Sequence, residues 1–406
     1  MYLNLKEIHL GICKVVSRDL ICSAIPLAVM FVGLLMTYRL RWRDFRLVGK
    51  AFLPQNAKEF PRISVLIPFG RGEHDAMVAT LQHILEQEYP DFEVIVIDQG
   101  SEEDAEELAA ELQAHSRRIR LCVVPRTAHH VAQGRLALML GARAAHSEWL
   151  LFMTPFSTPA SEKMFTYMAS TISDDVDAVL GYCNFLNDKS RRIRRAINAR
   201  LRRQAMWLRA LRCGVAMGAE DAGVLIRKSS FLASINDMEG LRLPVGEIDL
   251  SVERLKTSAK VRAIMTPETT VLQGVEHRLQ ISLPFVTSAI TRGSKSNRAR
   301  CFYLRDACAS WTLWLSVIAV CAYVGLRAYT LLQYQAYTQE YIAMDVAWFM
   351  LTLALFLVPA ILMRKACKRI GEMPFYMREP FYELSKPLRS LRIRSRAKHV
   401  IRRFSL

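Results

Sequence analysis

From Ile63 the chain alternates short, uniformly apolar runs with segments of helical period. Ile63 to Pro68 (ISVLIP), Phe92 to Asp98 (FEVIVID), Arg118 to Val124 and Trp149 to Met153 read as strands, and Ala76 to Gln87, Glu102 to His115 and Leu136 to Ala145 read as the helices between them. Strands apolar at every position are buried on both faces, and their alternation with helices implies right-handed crossovers and a mostly parallel sheet. Beyond Met153 the pattern is less regular, with a further strand predicted at Lys260 to Met265. In such sheets ligands bind outside the carboxyl ends of the strands. The segments after Pro68, Asp98, Val124 and Met153 are therefore where chemistry is expected.

A second pattern flanks this one. Leu20 to Tyr38, Ala307 to Leu326 and Val346 to Met363 are apolar and uncharged, each near the roughly 20 residues needed to cross a hydrocarbon layer. A cleaved signal peptide is the competing reading of the first, but a long arm precedes it and Arg39, Arg41, Arg43 and Arg46 follow it. The resulting plan is an arm at 1–19, a membrane helix at 20–38, a juxtamembrane linker at 39–62, an α/β domain at 63–306, membrane helices at 307–326 and 346–363 around an external loop at 327–345, and a basic tail at 364–406. Basic residues beside the second and third spans place the domain and the tail on the cytoplasmic side of an inner or cytoplasmic membrane, as a multi-pass protein.

Composition sharpens this plan. The 406 residues carry 55 Lys+Arg against 38 Asp+Glu, a net charge of +17, and 51% of positions are hydrophobic, which excludes a disordered chain or a disulfide miniprotein. The tail holds 13 basic and 3 acidic residues, so anionic membrane lipid is the expected partner of that charge. Nucleic acid is not expected, because no recognition motif accompanies it. Nine cysteines without a Cys-x-x-Cys pair speak against a disulfide framework and a structural zinc site. His129 and His130 stand without partners at ligand spacing and read as solvated loop.

The order and spacing of ISVLIPFGRGE, TLQHILEQEYPDFEVIVIDQGSEED, LALMLGARAAHSEWLLFM, GVLIRKSSF and GEIDLSVERL resemble the membrane-anchored family 2 glycosyltransferases. The resemblance covers roughly 230 residues. It implies a GT-A fold, a nucleotide-diphospho-sugar transferase-like mostly parallel sheet flanked by helices, with one N-terminal and two C-terminal transmembrane helices. It implies as activity the transfer of a sugar from a nucleotide-sugar donor to a lipid-linked or cell-envelope glycan acceptor. The alternative is a catalytically degenerate relative that serves as scaffold or regulatory partner.

Carried over position by position, the resemblance makes Pro68, Asp98, Gln99, Arg135 and Thr154 donor-binding candidates. Gln99 stands where the family uses an acid for the nucleobase, and its amide offers both a donor and an acceptor. Asp98 and Ser101 equally suit the capping of a turn. The family expects a divalent metal on an Asp-x-Asp after the fourth strand, but this chain has Thr154, Pro155, Phe156 and Ser157, so metal ligands are missing and no metal residue is assigned. Glu247 takes the place of the catalytic aspartate with Asp249 two residues on, and both are catalytic candidates. A plain acidic cluster at a helix start is the other reading. The late Gln-x-x-Arg-Trp-like motif is absent, with Phe285, Ser288 and Ala289 in its place.

Lys189 to Arg212 holds ten basic residues and no acid. Three readings stand: an interfacial helix on anionic lipid, arginines that neutralise a diphosphate, or a solvated face. Glu220 and Asp221 read as a solvated acidic pair on a surface loop.

Overall fold

A computed structural model describes residues 24, 25, 27–36, 38–49, 60–100, 105–125, 133–187, 190–236, 243, 245–255, 260–334, 339–372 and 379–405. The chain divides into two compact units, residues 44–302, 366–374 and 390–406 forming the larger and residues 1–43, 303–365 and 375–389 the smaller.

In the larger unit β1 (Ile63–Phe69), α2 (His74–Leu85), β2 (Phe92–Asp98), α3 (Ala105–His115), β3 (Ile119–Val123), α4 (Gln133–Ala144) and β4 (Trp149–Phe152) follow the alternation read from the sequence. The helix preceding them, α1, spans 27–36 and 38–45. Every side chain of β2 and β4 is buried, as uniformly apolar strands require. Strands β1 to β4 are parallel, in the order β3-β2-β1-β4.

The sheet then continues in a way the pattern did not show. β8 (Val224–Arg227) runs antiparallel to both β4 and β6 (Ala178–Leu180), and β9 (Val261–Ala263) adds parallel to β6, giving seven strands. A second sheet joins β5 (Ser157–Pro159), β10 (Thr270–Gln273) and β7 (Tyr182–Phe185). Two apolar layers cover the large sheet: Met77, Leu81, Ile84 and Phe165 on one face, and Ala137, Leu138, Phe231 and Leu250 on the other.

The larger unit also holds α5 (Met164–Ala169), α6 (Arg191–Arg212), α7 (Lys228–Asn236), α8 (Glu247–Glu253) and α9 (Arg278–Thr291). The basic segment read as an interfacial helix is α6, and its course differs from that reading. Only Arg191, Arg192, Arg195 and Arg212 are exposed; Arg200, Arg202 and Arg209 are buried. Asp44 pairs with Arg209 at 2.6 Å. The short stretch at 366–372 docks nearby, where Glu372 accepts hydrogen bonds from Tyr182 (3.0 Å) and Asn184 (2.9 Å). Arg369 donates to the carbonyls of Phe45 and Val48 at 3.2 and 3.4 Å.

In the smaller unit α10 (Asn297–Tyr334) and α11 (Gln339–Arg369) are long and apolar enough to cross a membrane over 297–329 and 345–369. Both helices run beyond the apolar stretches that announced them. Residues 20–23, 26 and 37 of the first predicted span lie outside the described residues. Met30, Ala319, Tyr323 and Trp348 form this unit's core, with Tyr323 stacked on Trp348 at 4.3 Å and Arg327 paired with Asp345 at 3.0 Å. Large apolar side chains such as Phe31, Val32, Trp311, Leu315, Phe349 and Leu353 remain exposed. α12 (Glu379–Ser405) begins in this unit and ends in the larger one.

The amino edge of the sheet is fixed by Glu93 on β2. Its carboxylate accepts from Ser64 (2.6 Å), the His146 backbone N–H (2.7 Å) and Arg120 (2.9 Å). Burial by itself raises this carboxyl, but those donors and the Arg120 charge outweigh it and hold the group at about 2 against an ordinary 4.5. Because the folded value lies below the unfolded one, the stabilisation is full above about pH 4.5 and disappears as pH falls through about 2. Glu93→Gln is expected to lower the melting temperature at pH 6 and to flatten its fall on acidification, as read by thermal melting between pH 6 and pH 3.

Candidate functional site

Register brings four of the sequence candidates to one edge. Phe69 pairs with Asp98 at the carboxyl ends of β1 and β2, and the Gln99 N–H donates to the Phe69 carbonyl at 2.9 Å. The buried Asp98 carboxylate accepts from the Gly100 N–H at 2.9 Å, so it closes the turn after β2, while Gln99 stays partly exposed beside Pro68. β4 ends one strand over, where the Met153 N–H donates to the Leu66 carbonyl, and Thr154 follows.

The turn after β4 is closed by neutral groups. Ser157 Oγ accepts from the Thr154 N–H at 2.8 Å and donates to the Thr154 carbonyl at 2.6 Å. Gln273 Nε2 on β10 donates to Thr154 Oγ1 at 3.2 Å, and Thr80 on α2 donates to the Pro155 carbonyl at 2.6 Å.

Arg135 and Glu247 meet at the start of α4. Gly246, left-handed at φ 98°, turns the chain into α8, and the Glu247 side chain reaches back to Gly134. A Cβ at Gly134 would stand 3.3 Å from Glu247 Oε1. That oxygen is buried and has no hydrogen-bond partner among the described residues. Burial pushes the carboxyl up, and the N–H groups of Glu247 and Gly246 together with the Arg135 charge offset this only in part.

Asp249, the other catalytic candidate, is engaged elsewhere. It is 2% exposed, pairs with Lys295 at 2.7 Å and accepts from Thr291 Oγ1 at 2.5 Å, while Lys295 also donates to the Met217 carbonyl at 2.6 Å. Gly218 at φ 135° makes room for this pair, since a Cβ there would fall 1.8 Å from Asp249 Oδ1.

The model of glycosyl transferase family 2 matches residues 64–231, from β1 through the strand beside β4 and into the helix after it. Over this segment the chain is similar to the family 2 glycosyltransferases. No curated protein matches the chain. Among solved structures, a mannosyltransferase from Pyrobaculum calidifontis in complex with GDP-Man and Mn2+ superposes with a TM-score of 0.53 at 15% identity, over 91% of this chain and 98% of that one. S. aureus TarS 1-349 in complex with UDP-GlcNAc aligns at 11% identity over 84% and 92% of the two chains, with a TM-score of 0.39. The first of these likenesses establishes the GT-A-like fold.

A divalent cation takes hard oxygen ligands, preferably carboxylates. In the family 2 domain of this chain the turn after β4 offers none, and its hydroxyls are taken up by the hydrogen bonds that close it. Among the described residues no group of three or more His, Cys, Asp or Glu side chains is arranged to hold a metal. The residues of this turn do not fit the metal that the family implies.

The acids that sequence reasoning set aside lie deeper than a surface loop. Glu220 is 6% exposed and is held by Arg200 (Nε at 3.0 Å) and Arg203 (2.5 Å). Burial raises its carboxyl, and the two guanidinium charges more than reverse this. The family resemblance gave no role to this loop, and the partners on α6 are 17 and 20 residues away, so no local signal announced them. His129, His130 and Ser101 lie outside the described residues.

Breaking the Asp249 pair tests its structural weight. Lys295→Met leaves a buried carboxylate without its cation, so a loss of about 3–5 kcal/mol is expected in chemical denaturation, with a substantial part recovered in the Asp249→Leu, Lys295→Met double variant.

Proposed function

We propose that this protein is a membrane-bound glycosyltransferase that moves a sugar from a nucleotide-sugar donor to a lipid-linked or cell-envelope glycan. The observation that carries the reading is the Glu247 carboxyl: buried, with an unpartnered oxygen, beside Arg135 at the carboxyl edge of a family 2 sheet. A general base needs a raised affinity for protons and a free lone pair, and Glu247 has both. The donor lies against Pro68, Asp98, Gln99 and Thr154. Glu247 takes the proton of the acceptor hydroxyl, the acceptor oxygen bonds to the sugar's anomeric carbon, and the bond from that carbon to phosphate breaks with its electrons leaving on the nucleoside diphosphate. Arg135 supplies a positive charge that acts on Glu247, and Asp249 positions α8 through Lys295 and Thr291.

A scaffold role is the second reading, and the neutral turn at Thr154 to Ser157 favours it. Calorimetry on the detergent-solubilised full chain separates the two. The transferase reading expects a nucleotide sugar to bind equally with and without manganese, and Glu247→Gln to keep that binding while transfer falls by about 10²–10⁴-fold. Failure of every common nucleotide sugar to bind supports the scaffold.

The same proposal places α10 and α11 across a cytoplasmic membrane with the family 2 domain inside, and sets the basic residues of 364–406 against anionic lipid. A reporter fused after residue 406 is expected to behave as cytoplasmic; periplasmic activity of that fusion overturns the orientation.

A further inference from the structure

The apolar side of α9 is longer than the surface that covers it. At 3.6 residues per turn Leu279, Leu283, Val286 and Ile290 fall within an arc of about 60°. Ile281 and Phe285 fall on the other side and pack with Ile193 and Ile197 of α6. Val286 and Ile290 are buried against Ile393, Ala397 and Ile401 of α12. The same stripe then runs on into solvent: Leu279 is 76% exposed and Leu283 50%.

The exposed charges on the two helices that flank α9 have one sign. α6 shows Arg191, Arg192 and Arg195 at its surface, and α12 shows Arg392, Arg394, Arg396 and Lys398. α6, α9 and α12 from Ser390 onward contain no Asp or Glu, and these segments all belong to the larger unit. Between the first turns of α6 and α9 lies an open groove of about 420 Å³, where Arg191, Arg192 and His277 stand beside Ile193 and Ile281 and Glu276 is the acid.

Exposed leucines bordered by arginines call for a partner that is apolar at its centre and anionic at its rim. An anionic bilayer has both parts, since its headgroup phosphates meet guanidinium groups and its acyl boundary takes leucines. It is also the partner nearest along the chain. α10, long and apolar enough to cross a membrane, begins at Asn297, six residues after α9 ends at Thr291.

We propose that the amino-terminal half of α9 docks the larger unit onto an anionic lipid surface, with Leu279 and Leu283 at the acyl boundary and the exposed arginines of α6 on headgroup phosphates beside them. This contact rests on the membrane placement proposed above and adds to it, because it is made by the α/β unit itself and not by the spans. The groove between α6 and α9 gives a headgroup room next to Arg191 and Arg192.

Photo-crosslinking of the full chain in lipid nanodiscs tests this. Benzoylphenylalanine takes the place of Leu279 or Leu283 in turn, and of Val123, an exposed apolar residue on β3, as the control; peptide mass spectrometry identifies what each has bonded. Phospholipid is expected on positions 279 and 283 and not on 123, and more of it in discs of phosphatidylcholine mixed with phosphatidylglycerol than in phosphatidylcholine alone. A basic residue near an anionic surface contributes a factor of about five, so Arg191→Gln together with Arg192→Gln is expected to lower the adduct at 283 about fivefold or more. Salt at about 1 M, where charge acts over about 3 Å, is expected to do the same. Bonding at 279 and 283 to a second copy of the chain or to another protein overturns the docking, as does lipid bonding that is indifferent to lipid charge and to the arginines, or equal at position 123. A chain that does not enter the discs refutes the membrane spans, and the same crosslinking with preformed vesicles of the mixed lipids still decides whether the stripe meets lipid. Sugar transfer enters no readout, so a chain that transfers no sugar leaves the outcome decided. Should the double arginine variant fail to fold, Arg195→Gln takes its place.

Discussion

One buried carboxylate, Glu220, fixes the part of the molecule where the acids gather. Taking an anion out of water costs several kcal/mol, and the cost is offset only when cations with good hydrogen-bond geometry surround it. Arg200 and Arg203 supply that geometry from successive turns of α6. Arg203 then reaches on to the Pro284 carbonyl of α9 and lies between Trp207 and Phe285. A single carboxylate thereby ties α6, the loop before β8 and α9 together. The position of Asp221 is a consequence, since the residue beside a clamped Glu220 has little freedom. Lys295 does the same for α8, binding Asp249 and the Met217 carbonyl at once.

These ties show a division of labour among acids close in sequence. Glu220 and Asp249 are each satisfied by a cation and serve packing. For Asp221 and Glu247 the nearby arginine charges offset burial only in part, and both carboxyls are raised. Environments that separate neighbouring carboxyls in this way distinguish groups able to exchange protons from groups that cannot. The turn after β4 shows the same economy with neutral groups: a serine hydroxyl and a glutamine amide hold the shape, and no charge is left there to neutralise.

The parallel half of the sheet was legible because burial on both faces leaves its mark on every residue of a strand. Ile63 to Pro68 and Phe92 to Asp98 could hardly be anything else. The continuation beyond β4 and the second sheet left no comparable mark, since β5, β6, β7, β8 and β10 are three or four residues long, too short for either period to emerge. Helix α6 was legible as a basic helix, but its arginines looked like a surface. Their partners, Asp44 and Glu220, belong to other segments, and charge pairing at long range has no sequence period. The same blindness made Glu220 and Asp221 look solvated, and hid that Asp249 is bound to a lysine 46 residues on.

The excess of +17 therefore divides into two populations with different physics. Arg200, Arg203 and Arg209 are internal, each facing a carboxylate or an aromatic ring, where the planar guanidinium can hydrogen-bond along its edge and stack on its face. The other population is the tail. On α12, Ile393, Ala397 and Ile401 recur every four residues and pack with Val286 and Ile290 of α9, while Arg392, Arg394, Arg396 and Lys398 are exposed. One side of the helix thus packs within the larger unit, and the charge that remains is exposed. An ammonium could serve at that exposed face, where no buried carboxylate has to be matched. At Glu220 it could not, because a lysine offers neither the paired N–H edge nor the flat face that let Arg203 bind a carboxylate, a carbonyl and two rings at once.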